Sequence, residues 1–408
     1  MNILYIDHYA GSPEMGMEFR PYYLSKEWVK MGHKVTIVAG DYSHLRKVNP
    51  NINNDFIKEN IDGIDYIWIK TGKYLGNGFK RALTIERFVR KLIFNAKKIS
   101  INIRPDVVIA SSTYPLDTYP ARKKAKLSKA RYIHEVHDMW PATLYEVGGM
   151  SKKHPFVIVM QIAENSAYRH CDKCVSLLPY SKDYMMKHGL RGEKFLNIQN
   201  GVAEKEWEYY EAVPVEHRNF FEKHKDKFVV GYFGGHALSN SLDDCVNVAK
   251  EFLKIKDSNA IFVFVGDGVE KQRLIERVRC EIINNAFFLP PISKKAIPDL
   301  LKYFDCSYMT GITSPLYRFG LCLNKMYDSM MAKLPIVCAF DAPDTLIKIY
   351  NCGYQCNPSN IQEVVDAIRN IETMSEEERS IMGDNGKKAV VEHFTYNKLA
   401  ETFINNIM

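Results

Sequence analysis

The stretch AIFVFVGDGVEKQRL, residues 260–274, contains an apolar strand, a glycine turn and the start of a helix. A strand that is apolar at successive positions is typical of a parallel sheet covered by helices on both faces. Similar runs, separated by segments of helical period, are NILYI (2–6), KVTIVAG (34–40), DYIWI (65–69), DVVIA (106–110), RYIHEVHD (131–138), KCVSLL (173–178), KFVVGYFGG (227–235), AFFLPPI (286–292), CSYMT (306–310) and LPIVCAF (334–340). This alternation predicts an α/β protein with doubly wound parallel sheets.

The length of 408 residues indicates two domains, because a single hydrophobic core stops growing near roughly 250–300 residues. The apolar runs restart after the charged segment 204–227. We therefore predict a first domain at residues 1–205 and a second at 206–385. Residues 386–408 are predicted to return to the first domain as a helix, and the helical pattern allows a break near Gly386 or after His393. Since doubly wound sheets bind ligands at the carboxyl ends of their strands, we expect the site in a cleft between the two domains.

The composition is that of an ordinary globular protein, with 46% hydrophobic and 25% charged residues. A net charge of +7 permits a nucleic acid, an anionic membrane or a phosphorylated ligand as partner. The basic segments lack interleaved aromatic residues, so we do not expect nucleic-acid binding. Nine scattered cysteines favour reduced thiols in the cytoplasm. The chain opens on a strand pattern, so we expect no signal peptide.

The loop DHYAGSPEMGMEFRPYY, residues 7–23, follows the first strand and precedes a helix that we expect to open near Glu18. Small residues before a helix allow a phosphate to approach backbone N–H groups; the alternative is a simple turn. A second loop begins at His137 and Asp138, where a buried strand ends. His137 is placed to bind a substrate hydroxyl or to transfer a proton, although it could instead satisfy the backbone of its own loop.

The segment SPLYRFGLCLNKMYDSMMAKLPIV, residues 314–337, combines a loop with a helix that we expect to begin near Asn324. Loop amides and the helix N-terminus, together with the cations of Arg318 and Lys325, would surround a diphosphate. The alternative is a solvated basic loop. We favour a ligand site because Arg318 follows the end of a strand.

Five motifs together resemble the retaining family-4 glycosyltransferases of GT-B architecture, and in particular the bacterial O-antigen and capsule branch of N-acetylfucosaminyl transferases. They are residues 8–40, HDMWPATLYEVGGM (137–150), IQNGV (198–202), VGDGVEKQRL (265–274) and residues 314–337. The resemblance implies transfer of a sugar, such as N-acetylfucosamine, from a UDP-sugar with retention of configuration. It also implies that the C-terminal domain holds the donor and the N-terminal domain the acceptor.

Matching the family motifs position by position assigns a role to individual residues. The resemblance implies catalytic roles for His137, Asp138, Arg318 and Lys325. It implies donor binding by Gly234, Asn240, Gly266, Asp267, Lys271, Ser314, Pro315, Leu316, Tyr317 and Asn324. On the acceptor side it implies Gly16, Glu18 and Arg20. The absence of a DxD motif from the sequence leads us to expect neither a metal ion nor another cofactor.

The sequence departs from the family pattern at two places. Tyr317 and Lys325 occupy the positions of two glutamates that many relatives carry, and Ser239 and Asn240 replace an expected basic pair. These departures leave open a catalytically silent subunit that only binds a nucleotide sugar. A nucleotide-sugar epimerase of related two-domain fold is a further alternative, which the Asn-Lys helix disfavours.

Residues 79–100, FKRALTIERFVRKLIFNAKKIS, carry seven Lys or Arg against Glu86 alone. Apolar side chains recur among them at helical spacing, which suits a helix lying on an anionic bilayer. The alternative is an ordinary helix that covers the sheet and exposes a basic face. The membrane interpretation fits a polyprenyl-diphosphate-linked saccharide as acceptor, with the protein on the cytoplasmic face of the inner membrane.

Overall fold

Two separate parallel sheets organise the chain in the computed structural model, which describes residues 1–16, 19–74, 76 and 78–407. Each sheet forms the centre of one compact unit. Unit 1 contains residues 1–199 and 396–408, and unit 2 contains residues 200–395. The predicted doubly wound α/β class is confirmed in both units.

The sheet of unit 1 has its first strand near the middle. Its strands are β1 (Asn2–Ile6), β2 (Lys34–Gly40), β3 (Ile57–Ile61), β4 (Ile64–Ile69), β5 (Val107–Ala110), β6 (Arg131–Val136), β7 (Lys173–Ser176) and β8 (Phe195–Asn197). They lie in the order β3-β4-β2-β1-β5-β6-β7-β8. All pairs are parallel except β3 with β4. In this order the carboxyl ends of β1, β5 and β6 are neighbours.

Helices connect these strands. They are α1 (Arg20–Lys30), α2 (Phe79–Phe94), α3 (Ala96–Ile103), α4 (Thr118–Ser128), α5 (Ala142–Glu146), α6 (Pro155–His170) and α7 (Lys182–Lys187). The first helix begins at Arg20 with Pro21 in its first turn, a position that suits proline because its missing N–H has no intrahelical partner there. Asn95 separates α2 from α3, so the basic segment 79–100 forms two helices.

Unit 2 repeats the alternation of strands and helices. Its elements are α8 (Glu204–Glu208), α9 (Val215–Lys223), β9 (Val229–Gly235), α10 (Leu242–Phe252), β10 (Ile261–Asp267), α11 (Lys271–Cys280), β11 (Ala286–Leu289), α12 (Ile297–Leu300), β12 (Cys306–Thr310), α13 (Asn324–Met331), β13 (Ile336–Ala339), α14 (Leu346–Ile349), β14 (Gly353–Cys356), α15 (Ile361–Thr373) and α16 (Glu376–His393). The strands lie parallel in the order β11-β10-β9-β12-β13-β14. The carboxyl ends of β10, β9 and β12 are therefore adjacent.

The last helix, α17 (Tyr396–Ile407), belongs to unit 1, where it packs on α1. The Nε1–H of Trp28 donates a hydrogen bond of 3.1 Å to the carbonyl of Ala400. The ring centroid of Phe403 lies 5.2 Å from that of Trp28. These contacts cover the fully buried Trp28, which explains why the chain returns to the first sheet.

The segment that returns begins at Tyr396, not at residue 386 as predicted. Gly386 does not break the chain but lies inside α16, where a Cβ would come within 3.2 Å of Cys352. At Gly383 a Cβ would come within 2.0 Å of the carbonyl oxygen of Lys333. Both glycines serve close packing of α16 within unit 2, a role that a sequence cannot distinguish from a helix break.

The division between the units falls after residue 199, six residues before the predicted boundary at 205. The backbone N–H of Asn200 already bonds the Sγ of Cys322, and that of Val202 bonds the carbonyl of Phe394. Tertiary hydrogen bonds therefore bring residues 200–205 into unit 2, although their sequence is not part of a strand or helix pattern.

Within the described part of the chain, no helix combines the length and the apolar character that crossing a bilayer requires.

Replacement of Phe403 by alanine is expected to lower the free energy of unfolding of unit 1 by about 3–5 kcal/mol, because it removes a fully buried ring and leaves a cavity beside Trp28. Denaturant unfolding followed by tryptophan fluorescence measures this change. Thr402→Ala, at an exposed position one residue earlier, is the matched control and is expected to change stability by less than about 0.5 kcal/mol. Equal effects of the two substitutions would contradict the packing described for α17.

Candidate functional site

Polar side chains gather at the strand ends of unit 1 around one buried carboxylate, that of Glu135 in β6. Its Oε2 accepts a hydrogen bond from the hydroxyl of Tyr5, on β1. It also accepts one from the Oγ of Ser111, the residue after β5, at a distance of 2.6 Å. Its Oε1 lies 2.9 Å from a guanidinium nitrogen of Arg20. The side chains of Glu135 and Arg20 are 0% and 4% exposed.

The charge on Glu135 is maintained by these neighbours. Burial alone would raise the pKa of Glu135, but the Arg20 guanidinium and the hydrogen bonds from His137 and Ser111 hold it well below its ordinary value. Burial, reinforced by the Glu135 carboxylate, raises the pKa of Tyr5 well above its ordinary value. The carboxylate is therefore ionised at neutral pH and the phenol is protonated.

His137 lies at the edge of this cluster. Its Nε2 is 2.7 Å from the Oγ of Ser111 and 3.4 Å from the Oε2 of Glu135, and its side chain is 12% exposed. Asp138, the next residue, is exposed. The structure thus connects His137 to a buried hydrogen-bond network, whereas Asp138 lies at the surface.

The prediction that Arg20 acts on the acceptor side requires a correction. The guanidinium is buried, where it pairs with Glu135 and donates to the carbonyls of Gln199 at 2.6 Å and Ile198 at 2.9 Å. Arg20 therefore holds unit 1 together and does not offer its charge to a ligand. Sequence reasoning could not identify this partner, because Glu135 lies 115 positions along the chain from Arg20.

Gly16, the other described residue of the acceptor-side prediction, has a φ of 109°, and a Cβ there would lie 2.9 Å from the backbone nitrogen of Lys47. Both the backbone conformation and the space therefore require glycine. Glu18 lies outside the described residues. An acceptor role for this loop stays a prediction.

Two glycine turns form the centre of the site in unit 2, one after β9 and one after β10. Gly234 has a φ of 130°, and Gly266 has a φ of 154°. A Cβ on Gly266 would lie 1.9 Å from the carbonyl oxygen of Gly234, so the two backbones touch. His236 N–H bonds the carbonyl of Asp267 at 2.8 Å, which joins the turns further.

Asp267 and Lys271 also shape the second turn. Asp267 is exposed, and its Oδ1 accepts from the Gly268 N–H at 2.8 Å. The Lys271 ammonium donates to the carbonyls of Gly266 and Leu289, both at 2.8 Å. In this structure Lys271 stabilises the turn on which a nucleotide was predicted to lie, and a direct contact with the nucleotide stays a prediction.

Lys325, in the first turn of α13, points toward the first glycine turn. Its Nζ lies 3.0 Å from the hydroxyl of Tyr232, 4.3 Å from the centre of that ring and 3.5 Å from the Oδ1 of Asn240. It is 3.7 Å from the position that a Cβ of Gly234 would occupy. Burial lowers the pKa of Lys325 to about 8. Among the residues that the structure describes, Lys325 has no carboxylate partner.

The loop between β12 and α13 contains a short 3-10 helix, Pro315–Phe319, which includes Leu316 and Tyr317. The Oγ of Ser314 accepts from the N–H of Leu316 at 3.3 Å and so begins this turn. Tyr317 packs its ring edge-on against Phe340, with ring centroids 5.1 Å apart. The loop thus has a defined structure and is not merely a solvated basic segment.

The polar residues of this loop differ in their surroundings. Arg318 is exposed, stacks over Phe319 at 4.2 Å and donates to the carbonyl of Pro315. Asn324, the first residue of α13, accepts a 3.0 Å hydrogen bond from the side chain of Asn200. The Ile312 N–H bonds the carbonyl of Ser239 at 3.2 Å and thereby joins this loop to the one that carries Asn240.

Sequence reasoning missed four residues of these clusters, namely Tyr5, Ser111, Glu135 and Tyr232. Glu135 had a detectable signal, since it is the carboxylate in the otherwise apolar part of a buried strand. Ser111 and Tyr232 had none, because their roles arise from strand order. No group of three or more His, Cys, Asp or Glu side chains able to hold a metal ion occurs in the part of the chain that the structure describes.

The geometry of the two units supports different chemistry. In unit 2, an ammonium with no carboxylate partner in the described part of the chain, together with glycine turns and the N-terminus of α13, suits an anion such as a diphosphate. In unit 1, a histidine tied to a buried carboxylate suits proton transfer or binding of a hydroxyl group.

Comparisons with known proteins match both halves of the chain to sugar-transferring families. Residues 15–206 match Glycosyltransferase Family 4, and residues 215–389 match Glycosyl transferases group 1. The colanic acid biosynthesis glycosyl transferase WcaI of Escherichia coli K12 is 26% identical over 194 residues. That match covers 45% of this chain and 46% of WcaI, so it spans about half the length of the relative.

Solved structures share the fold over nearly the whole chain. Sucrose-phosphate synthase from Thermosynechococcus elongatus has a TM-score of 0.74 at 14% identity, over 99% of this chain and 98% of that one. Anabaena HepE in complex with UDP has a TM-score of 0.67 at 15% identity, over 100% and 99%. WaaG, a glycosyltransferase involved in lipopolysaccharide biosynthesis, has a TM-score of 0.64 at 12% identity, over 100% and 99%. The predicted GT-B fold is confirmed.

Arg20→Met is expected to destabilise unit 1 by about 3–5 kcal/mol at pH 7, because it leaves the Glu135 carboxylate buried without its cation. The pKa of Glu135 is lowered in the folded protein, so its contribution to stability is present above its ordinary value of 4.5 and is lost as the pH falls below it. The difference between wild type and variant should therefore shrink below pH 4.5 in denaturant titrations.

The double variant Arg20→Met/Glu135→Gln is the control for the buried charge, and it should recover part of the lost stability. Lys26→Met, in the same helix but at a solvent-exposed ion pair with Asp62, should change stability by less than about 1 kcal/mol. A fully stable Arg20→Met protein would contradict the structural role of this arginine.

Proposed function

Because the chain belongs to the glycosyltransferases, with a Family 4 part followed by a group 1 part, we propose that it transfers a sugar from a nucleotide diphosphate donor to an acceptor glycan. The observation that carries this proposal is the Lys325 ammonium, mostly buried beside Gly234 and without a carboxylate partner among the described residues. An uncompensated cation in such a place is costly unless an anion binds it. A diphosphate supplies that anion.

Lys325 would act when the bond between the sugar and the diphosphate breaks. Negative charge then develops on the leaving oxygen, and a fixed ammonium stabilises that charge more than it stabilises the intact donor. The N-terminus of α13 adds aligned N–H groups, since the structure shows no side-chain cap at Leu323. The exposed Arg318 provides a second cation that can move onto the phosphates.

We propose a UDP-sugar as the donor and retention of configuration as the outcome. Support for the nucleotide comes from HepE, of similar fold, which binds UDP and UDP-glucose. The preference for an N-acetylated deoxysugar such as N-acetylfucosamine, and retention itself, rest on the motif resemblance. In this proposal His137 of unit 1 contacts the reacting sugar or the acceptor hydroxyl, and no metal ion or other cofactor takes part.

The acceptor in this proposal is a saccharide on a polyprenyl diphosphate, used in O-antigen or capsule biosynthesis. The names of WcaI, for colanic acid, and of WaaG, for lipopolysaccharide, support a glycan of the cell surface. Such an acceptor lies in the membrane, so we also propose that unit 1 binds the inner face of the cytoplasmic membrane.

The surface of α2 supports membrane binding. An apolar groove of about 540 Å³ lies along this helix, lined by Leu83, Val89 and Ile93 among others. Phe79 and Phe94, at the two ends of the helix, are 77% and 78% exposed. Exposed basic side chains flank them, namely Lys80, Arg87, Arg90, Lys97 and Lys98. Exposed aromatic rings beside cations suit an anionic bilayer surface.

Lys325→Met is expected to weaken UDP binding about ten- to hundredfold, because it removes a charged hydrogen bond worth about 1.5–3 kcal/mol. Isothermal titration calorimetry measures the affinity, and a panel of UDP- and GDP-sugars with lipid-linked acceptors measures the release of nucleotide and the formation of glycolipid. Lys254→Met removes an ammonium that pairs with Glu251 at the surface of the same unit, and it should leave both readouts unchanged. Nucleotide binding without turnover of any donor would favour the silent subunit.

The affinity for UDP should also depend on pH in a definite direction. The pKa of Lys325 is about 8 in the free protein, and a bound diphosphate raises it, so affinity should fall above pH 8 by up to tenfold per pH unit. The comparison of wild type with Lys325→Met between pH 7 and pH 9 isolates this effect. If the affinity for UDP depended equally on pH in both proteins, Lys325 would not belong to the proposed binding site.

The double variant Phe79→Ser/Phe94→Ser is expected to bind vesicles of anionic phosphatidylglycerol at least about tenfold more weakly, because each phenylalanine buried in lipid contributes about 1.5–3 kcal/mol. Vesicle sedimentation measures the bound fraction, with neutral phosphatidylcholine vesicles for comparison. Ile282→Ser, at a 77% exposed apolar side chain of unit 2, is the matched control. Unchanged binding of the double variant would place any membrane contact elsewhere.

A further inference from the structure

The ionisation of Glu135 decides the direction of the hydrogen bonds around it. Glu135 is ionised, so every group within hydrogen-bond distance of it must donate. Arg20 donates to Oε1, while Tyr5 and Ser111 both donate to Oε2. The hydroxyl protons of Tyr5 and Ser111 are thereby assigned.

With both hydroxyl protons directed to Glu135, none lies between the Tyr5 and Ser111 oxygens, which are 3.1 Å apart, and the contact of Ser111 with His137 is then fixed as well. Its hydroxyl has one proton, which Glu135 receives at 2.6 Å, so its oxygen can only accept from the Nε2 of His137 at 2.7 Å. If Ser111 donated to Nε2 instead, its oxygen would face an ionised carboxylate at 2.6 Å with no proton between them. The hydrogen-bond network therefore requires a proton on Nε2 of His137.

We propose that Glu135 and Ser111 are positioning residues that keep Nε2 of His137 protonated, and that they thereby hold the ring in the orientation that sugar transfer requires. The first part concerns this hydrogen-bond network alone, and the second rests on the proposed function. Within the network, Nδ1 is the ring nitrogen whose protonation can change without breaking a bond to Ser111. The side chain of His137 also reaches the surface, unlike that of Glu135.

The competing arrangement has the proton on Nδ1. Further titratable groups in the described part of the chain interact electrostatically with His137, among them Asp117, His134 and Asp138. Asp117 follows β5, is fully buried, and its Oδ1 lacks a hydrogen-bond partner in the structure. Burial raises the pKa of Asp117 to about 7. If the Asp117 carboxylate governed the ring, the proton would move to Nδ1 as the pH rises through 7.

Nuclear magnetic resonance of protein labelled with ¹⁵N-histidine tests the network directly in the wild-type chain. His137→Gln assigns the ring among the twelve histidines by loss of its signals. We expect one neutral form with a protonated Nε2 and an unprotonated Nδ1, both below and above pH 7, and protonation at acid pH that shifts only Nδ1. A protonated Nδ1 in the neutral ring, or an average of both forms, would overturn the proposal.

The variant Arg20→Met/Glu135→Gln then tests the cause without leaving a buried charge unpaired. The amide at position 135 is neutral, so it does not require a proton from Ser111. We therefore expect both neutral forms of His137, with the proton on Nε2 or on Nδ1, to be populated. The kcat for the best donor and acceptor should fall about a hundredfold while the donor KM changes by less than about threefold. Glu164→Gln is the matched control, since Glu164 is buried in the same unit and bonds Tyr168 at 3.0 Å outside this network.

The two proposals fail in different ways. Absence of turnover by wild-type protein contradicts the proposed function, while the resonances still decide the protonation of His137. Turnover with a kcat that falls equally in the double variant and in Glu164→Gln contradicts the positioning role. A variant that keeps the single neutral form of His137 contradicts it as well.

Discussion

The ion pair between Arg20 and Glu135 is the interaction on which unit 1 depends. Arg20 is the first residue of the first helix, and Glu135 lies in the sixth strand. The guanidinium also donates to the carbonyls of residues 198 and 199, the last two residues before the chain passes into unit 2. Charges buried so deeply are tolerated only when each hydrogen-bonding position is satisfied. One side-chain pair therefore fixes the positions of a helix, three strand ends and the exit of the chain, and His137 is oriented as a result.

The buried charge of unit 2 is not paired with an opposite charge as Arg20 is in unit 1. Lys325 is held by a phenol, an amide oxygen and the face of an aromatic ring, and its charge is left without a counter-ion among the described residues. The two units share an architecture, so the difference resides in a few side chains at the strand ends. A fully paired charge stabilises structure, whereas an unpaired one prepares a unit to receive an anion.

The sequence was sufficient for eleven of the fourteen strands in the described chain, because apolar periodicity is a local property and every apolar run that we quoted became a strand. It did not identify β3, β8 or β14. It was also sufficient for the positions of Lys325 and His137, since residues that follow a strand must lie at its end. It failed for Arg20, whose partner is 115 positions away, and for Gly386, whose packing partners lie in other elements. Which strand ends are neighbours depends on sheet order, and no short stretch of sequence encodes that order.

The last helix also determines the order in which the chain can fold during synthesis. Trp28 leaves the ribosome before any residue of unit 2, whereas Phe403 and Ala400, which cover it, leave after all of unit 2. All residues of unit 2 are made before the first unit can be completed. Unit 1 can therefore cover Trp28 only after unit 2 has been synthesised, whereas a domain that is continuous in sequence can be completed as soon as it has been made.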